Sequence, residues 1–440
     1  MLKKRLFALS AAAALLLTAC EFDDPSDQKD SSYISPAPPS ASKTKAPAAT
    51  AQPEASQSGE ITAGGSTIPE ITDPSAPEVI PAEFTEEQLK SGYLYLSGDE
   101  QFTVSKNKNI ITVILDAADT EYVTKLFKQK PKAFKALKDF TLYTNTCGVF
   151  DSTFQSLTQI YSGYTELPVY KIAQWNQDAW ESEKAVEFYR RFHKAGYKMN
   201  FFVDADWELR HQIGKADNLA LSDEPVSGRD FYHGNFGFDD MVRNVSAAED
   251  DYNYFIVQHL WGAHKPIEKD TFAEQMEYLF DIVDNYLEKL KEFNVYDNST
   301  IIIMGDHGSH DLYNYPDSTP LFMIKEAGKH NDKIKFSSAP IYFADLMSTY
   351  LVNAGLYSKE TDMELFGSSI YDFEEGEERE RTANYRYYSS SYPPSGISPL
   401  CHSYGYNVIY SYTYTGNRKN LLKVINDGKF EVTWMEEDAA

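Results

Sequence analysis

Thr300-Ile-Ile-Ile-Met304 runs directly into Gly305-Asp306-His307-Gly308. A short unbroken run of apolar, mostly β-branched residues is the pattern of a strand buried on both faces, as in a parallel sheet. Parallel sheets carry ligands and chemistry at the carboxyl ends of their strands. Here that end presents a carboxylate beside an imidazole, two side chains that bind divalent metals. A polar turn after a strand has the same local appearance, so the reading depends on what other strand ends supply.

Ile110-Ile-Thr-Val-Ile-Leu115 reads as a second buried strand, and it ends on Asp116. Tyr252-Asn-Tyr-Phe-Ile-Val257 reads as a third. Between that strand and Thr300, the residues Phe272, Met276, Leu279, Phe280, Val283, Leu287 and Leu290 recur at helical spacing, with Asp270 or Thr271 as N-cap. Strand, helix, strand in this order implies a right-handed crossover and a mainly parallel sheet. Near the end, Asn407-Val-Ile-Tyr-Ser-Tyr-Thr-Tyr-Thr415 alternates and meets Gly416-Asn417, which predicts a hairpin, and Lys429 to Trp434 adds a strand. The expected fold is α/β, a mainly parallel sheet flanked by helices with a small C-terminal antiparallel sheet.

The chain opens with the basic Met1-Leu-Lys-Lys-Arg5, an apolar stretch through Leu17, and Leu17-Thr-Ala-Cys20. This is the pattern of a secretory signal, and its ending resembles the lipobox of bacterial lipoproteins, in which Cys20 is lipidated. Residues 21–92 form a Pro-, Ser- and Ala-rich stretch that cannot bury a core and is expected to be a disordered tether. Residues 93–436 remain for one catalytic domain. The expected location is extracytoplasmic, anchored to the cell membrane through lipid. The formal charge of −25 argues against nucleic acid as a partner. Beyond Cys20 only Cys147 and Cys401 occur, too few for a disulfide scaffold, and whether they pair stays open.

Thr144-Asn-Thr-Cys-Gly-Val-Phe-Asp-Ser-Thr-Phe-Gln-Ser-Leu-Thr-Gln-Ile-Tyr-Ser-Gly163 carries the most specific signal. It resembles the sulfatase-like branch of the alkaline phosphatase superfamily, which holds sulfatases, lipoteichoic acid synthases and phosphoethanolamine transferases. In that branch the nucleophile heads a helix ten residues before a glycine, which places it at Thr153, with Ser156 as the small residue that follows. A hydroxyl at a helix N-terminus sits where backbone N–H groups favour an oxyanion, and metal coordination would activate it. Asp151, Ser152 or Thr153 as a plain N-cap is the alternative, and Ser152 is the competing nucleophile. His259-Leu-Trp-Gly-Ala-His264-Lys-Pro266 resembles the family's His-x-x-Gly-x-His-x-Pro segment, which gives His264 a role toward phosphate or a second metal. His259 and His310 stay open between ligand and structural residue. The resemblance extends over about residues 108 to 390, with connecting segments at Ala195–Lys198, Val295–Thr300, Thr319–Leu321 and Ala339–Ile341.

The departures from the family narrow the chemistry. Sulfatases carry Cys or Ser in a Cys-x-Pro-Ser-Arg context, and that residue is oxidised to an aldehyde; Thr153 cannot form it, and Leu157 stands in place of the Arg. Asp116-Ala117 offers one carboxylate where sulfatases have a pair, which suggests one tight cation. Gly196 to Trp207 lacks the His and Arg with which lipoteichoic acid synthases grip glycerol phosphate, so Asp204, Asp206 and Trp207 are only candidate substrate contacts. What the resemblance implies is a metal-dependent phosphotransferase or phosphohydrolase. Asp116, Thr153, Asp306 and His307 would hold one Mn²⁺, Mg²⁺ or Zn²⁺, and a phospho-threonine would form on phospholipid or envelope-glycopolymer substrates. A sulfatase-type ester hydrolase and a non-catalytic envelope-binding protein are the alternatives.

Overall fold

The computed structural model describes residues 76–435 other than 83, 86, 89–91, 204–214, 224–233, 265–266, 310–318 and 388–407. The predicted signal, Cys20, most of the tether, Asp204, Asp206, Trp207, His310 and Cys401 therefore lie outside the described residues.

A seven-stranded sheet forms the centre. Its strands in chain order are β1 (Asn109–Leu115), β2 (Thr141–Tyr143), β3 (Tyr197–Val203), β4 (Asn253–Leu260), β5 (Ser299–Met304), β6 (Phe322–Lys325) and β7 (Lys335–Ser337). Across the sheet they lie in the order β7-β2-β6-β5-β1-β4-β3. The pairs β5/β1, β1/β4, β4/β3 and β7/β2 are parallel, and β6 runs antiparallel to both β5 and β2. The predicted runs at Ile110, Tyr252 and Thr300 are thus the three adjacent central strands. Every residue of β1, β4 and β5 is buried. Two covered faces explain why these strands read as continuous apolar runs rather than as alternation.

The predicted crossover helix spans Phe272–Glu292 and is capped by the Thr271 hydroxyl, which accepts from Glu274 N. Its buried residues Met276, Leu279, Phe280, Val283, Leu287 and Leu290 recur three and four apart along one face, as the spacing requires. A three-stranded antiparallel sheet of β8 (Glu380–Tyr387), β9 (Val408–Thr415) and β10 (Glu431–Trp434) closes the chain, with β9 in the middle. Gly416-Asn417 is not a tight hairpin. The Asn417 side chain accepts from Lys419 N and starts a helix over Arg418–Asn426, after which β10 returns along β9. Asn serves both turns and N-caps, and here capping wins because a nine-residue helix follows.

Candidate metal centre

The adjacent carboxyl ends of β1, β4 and β5 bring four side chains to one point. Asp116 follows β1, His259 is the last-but-one residue of β4 and pairs with Ile114, and Asp306-His307 follows β5. One ligand atom from each of Asp116, His259 and Asp306 falls within a mutual 4.8 Å. His307 Nε2 lies 3.5 Å from Asp116 Oδ1 and 3.4 Å from Asp306 Oδ2, and His259 Nε2 lies 3.8 Å from Asp116 Oδ2. Donors held 2.0–2.2 Å from a tetrahedral ion stand about 3.4 Å from one another, so this spacing suits a divalent cation.

The bonding of the donors fits the same group. His307 Nδ1 donates to Gly308 O at 2.7 Å, which directs the lone pair of Nε2 toward the carboxylates. Asp306 Oδ1 accepts from Ala117 N at 3.1 Å, while buried Asp306 Oδ2 and both nitrogens of buried His259 have no hydrogen-bond partner. Buried polar atoms without partners are costly unless something else engages them. Ala117 reaches Asp306 through a left-handed backbone with φ of 57°, a strained conformation for a residue with a Cβ. Asp116 after β1 is one anionic donor of the group, and Asp306 after β5 is the other.

Thr153 joins the cluster from the helix Thr153–Ser162. Its Oγ1 lies 3.2 Å from His307 Nε2 and 3.5 Å from Asp116 Oδ2. Ser152 occupies the N-cap position but makes no side-chain cap bond to the helix amides; its hydroxyl donates to Gln155 Oε1 instead. Thr153, not Ser152, is the hydroxyl aimed at the carboxylates. The helix is buried from Gln155 to Ser162, and its polar side chains are tied down: Ser156 Oγ donates to Phe150 O at 3.2 Å and Gln159 Nε2 to Phe343 O at 2.9 Å. Leu157, in the place of the sulfatase Arg, is wholly buried in the apolar core. Gly163 ends the helix at φ of 69°, and a Cβ there would stand 2.4 Å from Met347 Sδ. That is the physical reason for the glycine at this spacing.

His264 sits on the loop after β4. Its carbonyl accepts from Trp261 Nε1 at 3.0 Å and its ring meets the Trp261 ring edge-on at 5.0 Å. It is not one of the three closest donors, Asp116, His259 and Asp306, and its electrostatic effect helps to depress His259. His259, left open by the sequence, belongs to the group.

Burial lowers the His259 imidazole from 6.5 to about 4, with Asp306 opposing and His307 and His264 adding to the depression. Burial also pushes Asp306 up, but the His307 and His259 charges and the amides of Ala117 and His307 outweigh it and hold the carboxyl below 3.8. An unfolded His takes a proton below about 6.5 while the folded one stays neutral to about 4, so protonation favours the unfolded chain in that window. Metal-free protein should lose stability as pH falls from 6.5 to about 4, and His259→Gln should flatten that slope in calorimetry with chelator present.

No protein-family model matches the chain, and no curated protein matches it in sequence. Solved structures do. A 2-O GAG sulfatase is 12% identical with a TM-score of 0.45, covering 76% of this chain and 86% of that one. The lipoteichoic acid synthase LtaP from Listeria monocytogenes is 14% identical with a TM-score of 0.45, covering 79% and 92%. The phosphonate monoester hydrolase from Silicibacter pomeroyi is 12% identical with a TM-score of 0.42, covering 71% and 87%. Likenesses at this level assign no activity, and the chemistry has to come from the chain's own side chains.

Proposed function

We propose that this chain is a metal-dependent phosphotransferase or phosphohydrolase of the sulfatase-like branch of the alkaline phosphatase superfamily. Its substrates are phosphodiesters of the cell envelope, phospholipid head groups or glycopolymers. The observation that carries the reading is the threonine hydroxyl set 3.2 Å from His307 Nε2 and beside Asp116, within a buried Asp-His-Asp group. Asp116, His259, Asp306 and His307 would hold one divalent cation together with the Thr153 oxygen. Oxygen-rich ligation with imidazole admits Mn²⁺, Mg²⁺ or Zn²⁺. When bound, such an ion supplies Lewis acidity that lowers the hydroxyl pKa and neutralises phosphate charge.

Thr153 Oγ1 releases its proton to solvent and attacks phosphorus in line. An O–P bond forms, the bond to the departing alcohol breaks, and His264 protonates the leaving oxygen. Water or an acceptor hydroxyl then attacks the phospho-threonine and gives its proton back to His264; the bond from phosphorus to Thr153 Oγ1 breaks, and Oγ1 takes up a proton from solvent. The N-terminal amides of the helix Thr153–Ser162, uncapped by Ser152, favour the negative charge that builds on the phosphoryl oxygens. The preference for phosphorus over sulfur rests on Thr153, which cannot be oxidised to the aldehyde that sulfatases use. Leu17-Thr-Ala-Cys20 supports placing the enzyme outside the cytoplasm on a lipid anchor, beside such substrates. Among the described residues no helix is long and apolar enough to cross a membrane. Purified protein supplied with Mn²⁺ or Zn²⁺ should hydrolyse bis-p-nitrophenyl phosphate and leave p-nitrophenyl sulfate intact. Faster turnover of the sulfate would overturn the preference.

A further inference from the structure

The loop that carries His264 is held by a device that neither the charge pattern nor the motif spacing announces. Gly262 has φ of 62°, and a Cβ on it would fall 2.2 Å from Asp116 N and 2.5 Å from Asp116 O. The backbone after β4 is thus pressed directly onto the backbone of a metal-facing carboxylate. Ala263 N completes the contact by donating to Asp116 O at 2.8 Å.

Two buried carboxamides keep Gly262 there. Asn235 Oδ1 accepts from Gly262 N at 2.8 Å and Asn235 Nδ2 donates to Gly262 O at 2.9 Å, reading both polar groups of one residue. Gln275 Nε2 donates to the same carbonyl at 2.8 Å, while its Oε1 accepts from Glu268 N at 3.1 Å and Lys269 N at 3.2 Å. Both side chains are fully buried. They come from separate helices, Gly234–Met241 and Phe272–Glu292. A hydrogen bond to a buried peptide contributes most when its loss leaves the peptide unsatisfied. Here the peptide that would be released is the one backing Asp116.

We propose that Asn235 and Gln275 are positioning residues for the metal centre: they clamp Gly262 against Asp116 and so fix the Asp116 carboxylate relative to His259, Asp306 and His307. The inference rests on the metal reading above. Residues that orient a ligand without touching the metal are commonly worth about 10–100-fold in affinity.

Asn218 supplies a matched control. It is a buried carboxamide that clamps a peptide in the same manner, accepting from Phe201 N at 3.0 Å and donating to Phe201 O at 2.8 Å and Ser97 O at 2.9 Å. It serves β3, at the edge of the sheet. Asn235→Ala, Gln275→Met and Asn218→Ala, all neutral changes, would be compared with the unaltered protein by calorimetric titration with Mn²⁺ or Zn²⁺ and by thermal unfolding in chelator. Asn235→Ala and Gln275→Met should weaken metal binding by about 10–100-fold, whereas Asn218→Ala should lower the unfolding temperature and leave affinity unchanged. Gln275→Met keeps the test open should Asn235→Ala fail to fold. Metal affinity unchanged in a folded Asn235 or Gln275 variant would overturn the positioning role alone. No metal binding by the unaltered protein would overturn the metal reading and this inference with it.

Discussion

Thr153→Ala should lower phosphodiester turnover by on the order of 10³-fold or more, the scale seen when a covalent nucleophile is removed. The change deletes one hydroxyl and one methyl from the first residue of a helix whose remaining side chains are anchored elsewhere. Ser156, Gln159 and Leu157 keep their partners, so the helix should stay in place. The carboxylates and imidazoles of the cluster are untouched, so metal should still bind, with only the loss of one neutral oxygen donor. Turnover and metal affinity should therefore separate: one collapses and the other largely survives. Thr153→Ser would keep the oxygen and should retain a measurable fraction of activity. A Ser152→Ala protein should remain active, since that hydroxyl is spent on Gln155.

Asp306→Asn should have the opposite profile, removing metal and activity together. Asp306 is fully buried, one of its oxygens holds Ala117 N, and the other has no hydrogen-bond partner. Asn preserves the shape and the bond from Ala117 but removes the charge that compensates a dication. Affinity should fall by more than the roughly 10–100-fold typical of an outer partner. Ligand that binds only the folded state raises stability by mass action. Added Mn²⁺ or Zn²⁺ should therefore raise the unfolding temperature of the unaltered protein and leave that of Asp306→Asn where it was. An equal rise in both would place the ion elsewhere.

The parts of this site that the sequence disclosed are those whose position follows from chain direction alone. Asp116 and Asp306-His307 each end an apolar run, and in a parallel sheet both ends must lie on one edge. Thr153 was legible through its ten-residue distance to Gly163, which the structure explains by a left-handed helix end packed on Met347. His259 was ambiguous because the sequence reads its strand as ending at Val257, with His259 beyond it, whereas β4 runs on to Leu260. Which way it faces depends on the pairing of Ile114 with His259, a tertiary fact that no local pattern encodes. Asn235 and Gln275 were invisible for a different reason: a carboxamide that reads a peptide has no charge, spacing or periodicity to mark it. Ala117 likewise reads as an ordinary small residue, and only its positive φ shows that it turns an amide toward Asp306. Gly416-Asn417 misled because the same two residues suit a hairpin and a helix start, and only the helix Arg418–Asn426 decides between them.

The most direct measurement is mass spectrometry of the protein quenched in acid during turnover of a phosphodiester, followed by digestion. The peptide containing Thr153 should carry the mass of the transferred phosphoryl group, and chelator or Asp306→Asn should abolish the adduct. Steady turnover with that peptide unmodified, or with the adduct on another residue, would contradict a threonine nucleophile at a metal centre.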